Sequence, residues 1–331
     1  MARILTSLEI CAGAGGQAIG LEQAGFEHLA LVEIDENACN TLRTNRPSWN
    51  VVPEDLRNFS AKPFKGSIDL LAGGPPCQPF STGGNQLGEL DERNLMPEVP
   101  RLVKECSPNA IMIENVAGLM SSTFDEYRNT LTTIIEKLGY KGEWRLFNSS
   151  DFGVPQLRPR VVFVALKKKY WKHFAWPVPI PEQAPTVGDV LYEEMASNGW
   201  LGVDAWREQA NVIAPTLVGG SKKHGGPDLG PTRAKRAWAN LGVDGGGVAN
   251  EPPSADFVGM PKLTVKMTAL LQGFPEDWII TGRKTAAYRQ VGNAFPPPVA
   301  KAVGAQIYKA ISAAETKSIN SKESKLIEQR A

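Results

Sequence analysis

The stretch from Leu5 to Gly25 constrains the fold more than any other part of the chain. Leu5 to Cys11 is an apolar run of strand length that breaks into Gly13-Ala14-Gly15-Gly16. Ile19, Leu21 and Ala24 then follow at helical spacing until Gly25 stops the pattern. A strand, a Gly-rich turn and a helix in that order let backbone approach a ligand at a helix N-terminus. The alternation continues. Strands are predicted at Leu29 to Ile34, Ile68 to Ala72, Ala110 to Ile113 and Val161 to Leu166, and helices at Glu36 to Asn45 and Phe124 to Leu138. Strands alternating with helices predict an α/β fold with a doubly wound, mostly parallel sheet.

The texture changes after Lys167-Lys168-Lys169. Prolines crowd at Pro177, Pro179, Pro181 and Pro185, and glycines cluster at Gly219-Gly220, Gly225-Gly226 and Gly245-Gly246-Gly247. Helical periodicity is weak as far as Pro261, which predicts a second, loop-rich module set into the first. A length of 331 residues accommodates both. Patterning resumes at Leu263, a helix is predicted from Val299 to Ala313, and the polar tail from Thr316 to Ala331 is expected to fray. Lys+Arg 36 against Asp+Glu 35 excludes a grossly basic coat protein but leaves room for a local basic cleft. The four cysteines, Cys11, Cys39, Cys77 and Cys106, show no paired spacing. That argues against zinc and against a disulfide framework, and fits a reducing compartment. The apolar runs fall short of a membrane span, and the N-terminus lacks the long apolar block of a secretion signal, so a cytoplasmic protein is expected.

Several strand ends carry chemistry. Glu33 closes the second strand, roughly where such folds hold a ribose diol, and Asp55 is within reach of an adenine amine. The turn alone does not separate a nicotinamide cofactor from S-adenosylmethionine, and similar turns also occur without a ligand. Gly73-Gly74-Pro75-Pro76-Cys77 delivers a thiol at the end of a buried strand, stiffened by proline on both sides. Such a thiol is a strong nucleophile once its pKa is lowered. The loop after it, with Ser81, Gly83 and Gln86, has glycines suited to a lid. Glu114 in Ile113-Glu114-Asn115-Val116 should face the same cleft, where burial makes it a proton donor near neutral pH. It also suits a helix cap or an arginine partner. Alternation puts Arg158 and Arg160 on one face of an extended segment, as fork-shaped donors for a phosphate, a carboxylate or a base carbonyl.

Taken together, these segments resemble the cytosine-5 DNA methyltransferases of bacterial type. The Gly-rich turn, Pro76-Cys77-Gln78, Glu114-Asn115-Val116, Gln156-x-Arg158-x-Arg160, Leu271-Gln272-Gly273-Phe274-Pro275 and Gly292-Asn293-x-x-Pro296-Pro297 occur in the family's order between Ser7 and Ala300. The resemblance implies a Rossmann-like methyltransferase fold with S-adenosylmethionine as methyl donor and no metal. It assigns the methionyl part to Gly13, Ala14, Gly15 and Gly16, the ribose to Glu33, and adenine to Ile34, Asp55 and Leu56, with Pro76, Leu95, Asn293 and Ala294 completing the pocket. Cys11 stands where the family often has an aromatic residue, so less surface is expected against adenine. Ile34 replaces a Trp of some members, and the segment before Leu271 lacks a common Arg-Glu pair.

The resemblance also implies how the chemistry runs. Cys77 would attack carbon 6 of a cytosine flipped out of double-stranded DNA, Glu114 would meet ring nitrogen 3, and Arg160 with Arg158 would hold the base carbonyl. Residues 1–166 and 286–315 would form the catalytic domain and 167–285 the target-recognition domain, ahead of a polar tail at 316–331. Ser81, Gly83 and Gln86 of the loop after Cys77 are candidates for DNA contact, as are Lys222, Lys223, His224, Arg233, Lys235 and Arg236 within that domain, although a solvated basic loop has the latter's composition. A monomer is expected, with a cognate restriction endonuclease as its genetic partner or a solitary role. The same chemistry on transfer RNA, a catalytically silent DNA-binding relative and a nicotinamide oxidoreductase are the rival readings.

Overall fold

The computed structural model describes residues 3–76, 94–220 and 226–328, with side chains as far as residue 316. β1 (Leu5–Ile10) leads into α1 (Gly16–Gln23) and β2 (Phe26–Val32) into α2 (Glu36–Asn45), followed by the short β3 (Val51–Val52). β4 (Leu70–Gly73), α3 (Glu98–Cys106), β5 (Ala110–Val116), α4 (Asp125–Lys137), β6 (Tyr140–Asn148) and β7 (Pro159–Lys167) complete the sheet. α5 (Lys168–Trp171), α6 (Val187–Ala196), α7 (Val203–Gln209) and α8 (Thr232–Asn240) follow. α9 (Val265–Leu271), α10 (Lys284–Asn293) and α11 (Pro297–Glu328) bring the chain back.

The sheet order is β3-β2-β1-β4-β5-β7-β6. β7 runs antiparallel to β5 and β6, and the other pairs are parallel. The chain winds outward in opposite directions from β1 and β4. The crevice beyond their C-terminal ends is therefore the switch point at which open α/β sheets hold ligands.

Alternation along the strands splits the core between two faces. Leu70 and Ala72 pack with Leu21 and with Val303, Ile307 and Ile311 of α11. Leu71 points the other way, to Leu102 of α3 and Ile135 of α4. A separate cluster gathers Val187, Leu191, Trp206, Leu217, Trp238, Leu263, Met267, Leu271 and Tyr288 into a second lobe. Trp238 is wholly buried there; a tryptophan so placed contributes about 3–5 kcal/mol relative to alanine.

The elements depart from expectation where signals were short or masked. α3 was not foreseen because Pro100 interrupts its pattern, yet in a first turn proline removes only an amide that has no helical partner. β6 pairs along the whole of β7, and it exposes alternate residues as an edge strand does. The region expected to be loop-rich holds α6, α7 and α8, whose two or so turns are too short to show a period. Thr186 caps α6 by accepting from the Asp189 amide at 3.2 Å. The tail expected to fray continues as helix to Glu328, because no proline follows Pro298 and no glycine follows Gly304 to stop it. Among the described residues no helix is long and apolar enough to cross a membrane, and no cluster of side chains suits a metal.

Candidate active site

The turn after β1 is shaped by backbone that leaves the usual regions. Cys11, Gly13 and Gly15 have φ of 52°, 55° and 86°, and Gly15 is the cap residue from which α1 starts. Glycine bears the left-handed conformation without strain; Cys11 does not. The Glu33 carboxylate at the end of β2 holds the turn open by accepting from the Gly13 and Asp35 amides, each at 2.7 Å. Burial raises the Glu33 carboxyl above its ordinary range, opposed by those amides.

A cavity of about 570 Å³ opens beside this turn, within the range of nucleotide-sized sites. Cys11, Gly13, Gly16 and Glu33 form one side of it, and Ile34, Asp55 and Leu56 another. Pro76, Leu95, Asn293 and Ala294 close it. Ala14 and Gly15 are not part of its wall: Ala14 instead gives its carbonyl to the Trp278 indole at 3.0 Å. Asp55 accepts from the Arg57 guanidinium and amide, which hold its carboxyl below the usual range. Burial raises the Cys11 thiol far above its ordinary value, so it stays neutral. Glu9, Gln17, Gln290 and Phe295 also line the cavity and were missed. For Glu9 a signal existed, a carboxylate inside the apolar run Leu8-Glu9-Ile10. It is 1% exposed, burial raises its pKa well above normal, and its Oε2 has no hydrogen-bond partner.

Glu114 reaches the same cavity from β5. In the antiparallel register Val116 faces Arg160 of β7, which brings Arg160 Nε to 2.9 Å from Glu114 Oε1. The pair is almost wholly buried, and the N–H is not aimed along the oxygen's direction, so this is an ion pair rather than a formed hydrogen bond. Burial raises the Glu114 carboxyl, while Arg160 and then Arg158 oppose the shift. Gly74 leaves the room this carboxylate needs: a Cβ there would lie 2.9 Å from Glu114 Oε2. Asn115 donates to the Pro75 carbonyl at 3.3 Å and so ties β5 to the backbone two residues before Cys77. Cys77, Ser81, Gly83 and Gln86 lie outside the described residues, as do Lys222, Lys223 and His224.

The sequence profile of the C-5 cytosine-specific DNA methylases matches residues 5–309. The chain belongs to that family. It is accordingly a DNA (cytosine-5) methyltransferase. It is similar to the Type II methyltransferase M.NgoMIV of Neisseria gonorrhoeae, with 55% identity over 305 residues, 91% of this chain and 96% of the relative. The Type II methyltransferase M.NaeI of Lentzea aerocolonigenes is 54% identical over 308 residues, 92% and 74% of the two chains. Among solved structures, the Entamoeba histolytica methyltransferase EhMeth superposes with a TM-score of 0.65 at 15% identity, covering 93% of this chain and 99% of that one. At that identity the likeness bears on the fold alone.

Two of the expected site residues are engaged by the protein itself. Arg158 is not presented to a base, because its side chain is wholly buried. It donates to the carbonyls of Leu217 at 2.8 Å, Gly292 at 2.7 Å and Ala294 at 3.0 Å. Its two terminal nitrogens position protein backbone, and its buried Nε has no hydrogen-bond partner. Lys235 is half-buried and pairs with Asp228 at 3.0 Å, whereas Arg233 and Arg236 on α8 are exposed.

Proposed function

We propose that the protein transfers the methyl group of S-adenosylmethionine to carbon 5 of a cytosine flipped out of a specific double-stranded DNA sequence. The observation that carries this reading is Glu114, which lines the cavity that also holds Glu33 and the Gly-rich turn and is paired behind that wall with the buried Arg160. One space thus joins a cofactor-sized site to an acid suited to a pyrimidine, with a cation paired to that acid. The donors fit the cofactor. Glu33 has a carboxylate for ribose hydroxyls, the Asp55 and Leu56 segment flanks adenine, and Glu9 offers an unpartnered oxygen near the turn for an ammonium group. When bound, the cofactor supplies an electrophilic methyl group on a sulfonium.

The chain's own residues prepare the base. The Cys77 thiolate adds to carbon 6 and makes carbon 5 an enamine carbon that can accept the methyl group. Glu114, whose carboxyl burial raises, delivers a proton to ring nitrogen 3, so negative charge does not collect on the ring. Arg160 holds the neighbouring carbonyl and steadies the charge that develops. Loss of the carbon 5 proton to water or hydroxide then expels Cys77 as thiolate, and the ring nitrogen returns its proton to Glu114. Carbon 6 is covered in a stacked duplex, so the nucleotide must leave the stack.

Residues 167–285 are read as the target-recognition domain between catalytic segments 1–166 and 286–315. The names of the relatives support a Type II restriction–modification setting, and a bacterial cytoplasm, a monomer and a cognate endonuclease as genetic partner belong to the same proposal. Bisulfite sequencing of DNA from a host expressing the chain tests the reading beside a Cys77→Ser control. Protected cytosines in one short context, absent from the control, are expected. Protection that persists in the control overturns the role of Cys77, and no protection by the wild type overturns the substrate.

A further inference from the structure

Three buried polar side chains from distant parts of the sequence meet between the second lobe and the cavity. Gln156 donates to Gln272 Oε1 at 2.7 Å and to the Leu271 carbonyl at 3.1 Å, and its own Oε1 accepts from the Leu217 amide at 2.8 Å. Gln272 donates to the Ala294 carbonyl at 2.7 Å. Arg158 joins the same two sides, Leu217 on one and Gly292 with Ala294 on the other. All three side chains are fully buried, so their hydrogen bonds are not exchanged with water.

These bonds clamp one strap of chain, residues 214–220. It leaves the lobe's core at Leu217 and runs beside Gln156, where the Leu157 amide donates to the Ala214 carbonyl at 2.8 Å and the Ala214 amide to the Pro155 carbonyl at 2.9 Å. The strap then ends on α10 in a backbone contact that admits no side chain. A Cβ on Gly292 would lie 2.3 Å from the Gly219 Cα. Asn293 Nδ2 donates to the Gly220 carbonyl at 3.3 Å, and both residues line the cofactor cavity.

We propose that Gln156 and Gln272 are positioning residues that couple cofactor binding to DNA binding by seating this strap. The inference rests on the reading of the cavity as the cofactor site and of the second lobe as the DNA-binding lobe. A ligand in the cavity meets Gly220 and Asn293 together only while the strap is seated, and DNA bound to the lobe acts on the strap's other end. Each ligand therefore favours the same seated arrangement and the coupling is reciprocal. Both carboxamides are needed, because each satisfies a partner that the other leaves unpaired.

The test is calorimetric titration of the intact protein with S-adenosylhomocysteine, alone and with a saturating duplex that carries the methylated context. The wild type is expected to bind the probe roughly tenfold more tightly with DNA present. The double variant Gln156→Met with Gln272→Met keeps side-chain volume but takes the carboxamide acceptor from the Leu217 amide, which unseats the strap. Its DNA-free affinity is expected to stay within about threefold of the wild type while the gain from DNA falls to about one. Gly292→Ala keeps both carboxamides and forces the strap away, so it also loses the gain and serves if the double variant does not fold. A DNA gain retained in either folded variant, or absent from the wild type, overturns the coupling. Failure of the wild type to bind S-adenosylhomocysteine at all overturns the cofactor reading and the coupling with it.

Discussion

Glu114 faces two opposed demands, and its surroundings resolve them. Burial favours the protonated acid, whereas Arg160 and Arg158 favour the carboxylate, and burial is the larger influence. The folded group therefore holds its proton to higher pH than a free carboxyl, and catalysis by the acid form declines as pH rises through that raised value. Glu114→Gln is expected to lower the methyl-transfer rate by about 10²–10⁴. It should also flatten the alkaline limb of the rate profile, while S-adenosylhomocysteine affinity stays within about threefold of the wild type, since loss of one proton-transfer group spares the cofactor's contacts. Methyl incorporation measured across pH checks this, and a variant within tenfold of the wild-type rate would remove Glu114 from the proton pathway.

His28 shows how elements are locked to one another and what that lock costs in acid. It projects from β2 between β1 and α1, with Nε2 3.0 Å from the Ala18 carbonyl and Nδ1 2.7 Å from Ser7 Oγ. A carbonyl only accepts, so Nε2 carries the hydrogen; in the neutral ring that burial favours, Nδ1 then accepts from the Ser7 hydroxyl. Burial lowers its pKa, opposed by the Ala18 carbonyl and Glu22. The unfolded chain therefore takes up the proton first, and this lock is intact above the ordinary histidine value of about 6.5 and weakens as pH falls below it. Glu9, Glu33 and Glu114 have raised values and act in the opposite sense, which is why a variant is needed to isolate the effect. His28→Gln is expected to lower the melting temperature at pH 7.5 and to narrow the loss on moving to pH 5.5. An equal acid loss in both proteins would place the sensitivity elsewhere. The sequence shows the limits of such reading at this scale. α2 was legible from Glu36 to Asn45 because Asp35 caps it and apolar positions follow, and Glu114 and Glu33 stood at the ends of apolar runs. Arg158 was misread because the carbonyls it serves, on Leu217, Gly292 and Ala294, lie 59 to 136 residues away in sequence. The Gln156–Gln272 contact was invisible, since no local pattern reports a bond across more than a hundred residues.

At the scale of the whole molecule, charge sets how DNA can be held. A formal net charge of +1 leaves no strong overall attraction for a polyanion, so affinity must come from cations gathered on one surface. Cations committed to ion pairs contribute less, as Lys235 does with Asp228 and Lys262 with Asp244 at 3.6 Å. Arg233 and Arg236 are exposed on α8, three residues apart and so on neighbouring positions of one helical face. Each phosphate that they neutralise releases counterions and adds about 0.9 to the slope of log affinity against log salt. The double variant Arg233→Ala with Arg236→Ala is therefore expected to reduce that slope by about 1.8 for duplex DNA of any sequence. Cofactor affinity measured without DNA should not change, because neither residue lines the cavity. Titrating the double variant and the wild type from low to moderate salt gives both slopes. Equal slopes would show that α8 faces away from the DNA and that the lobe grips the duplex by another surface.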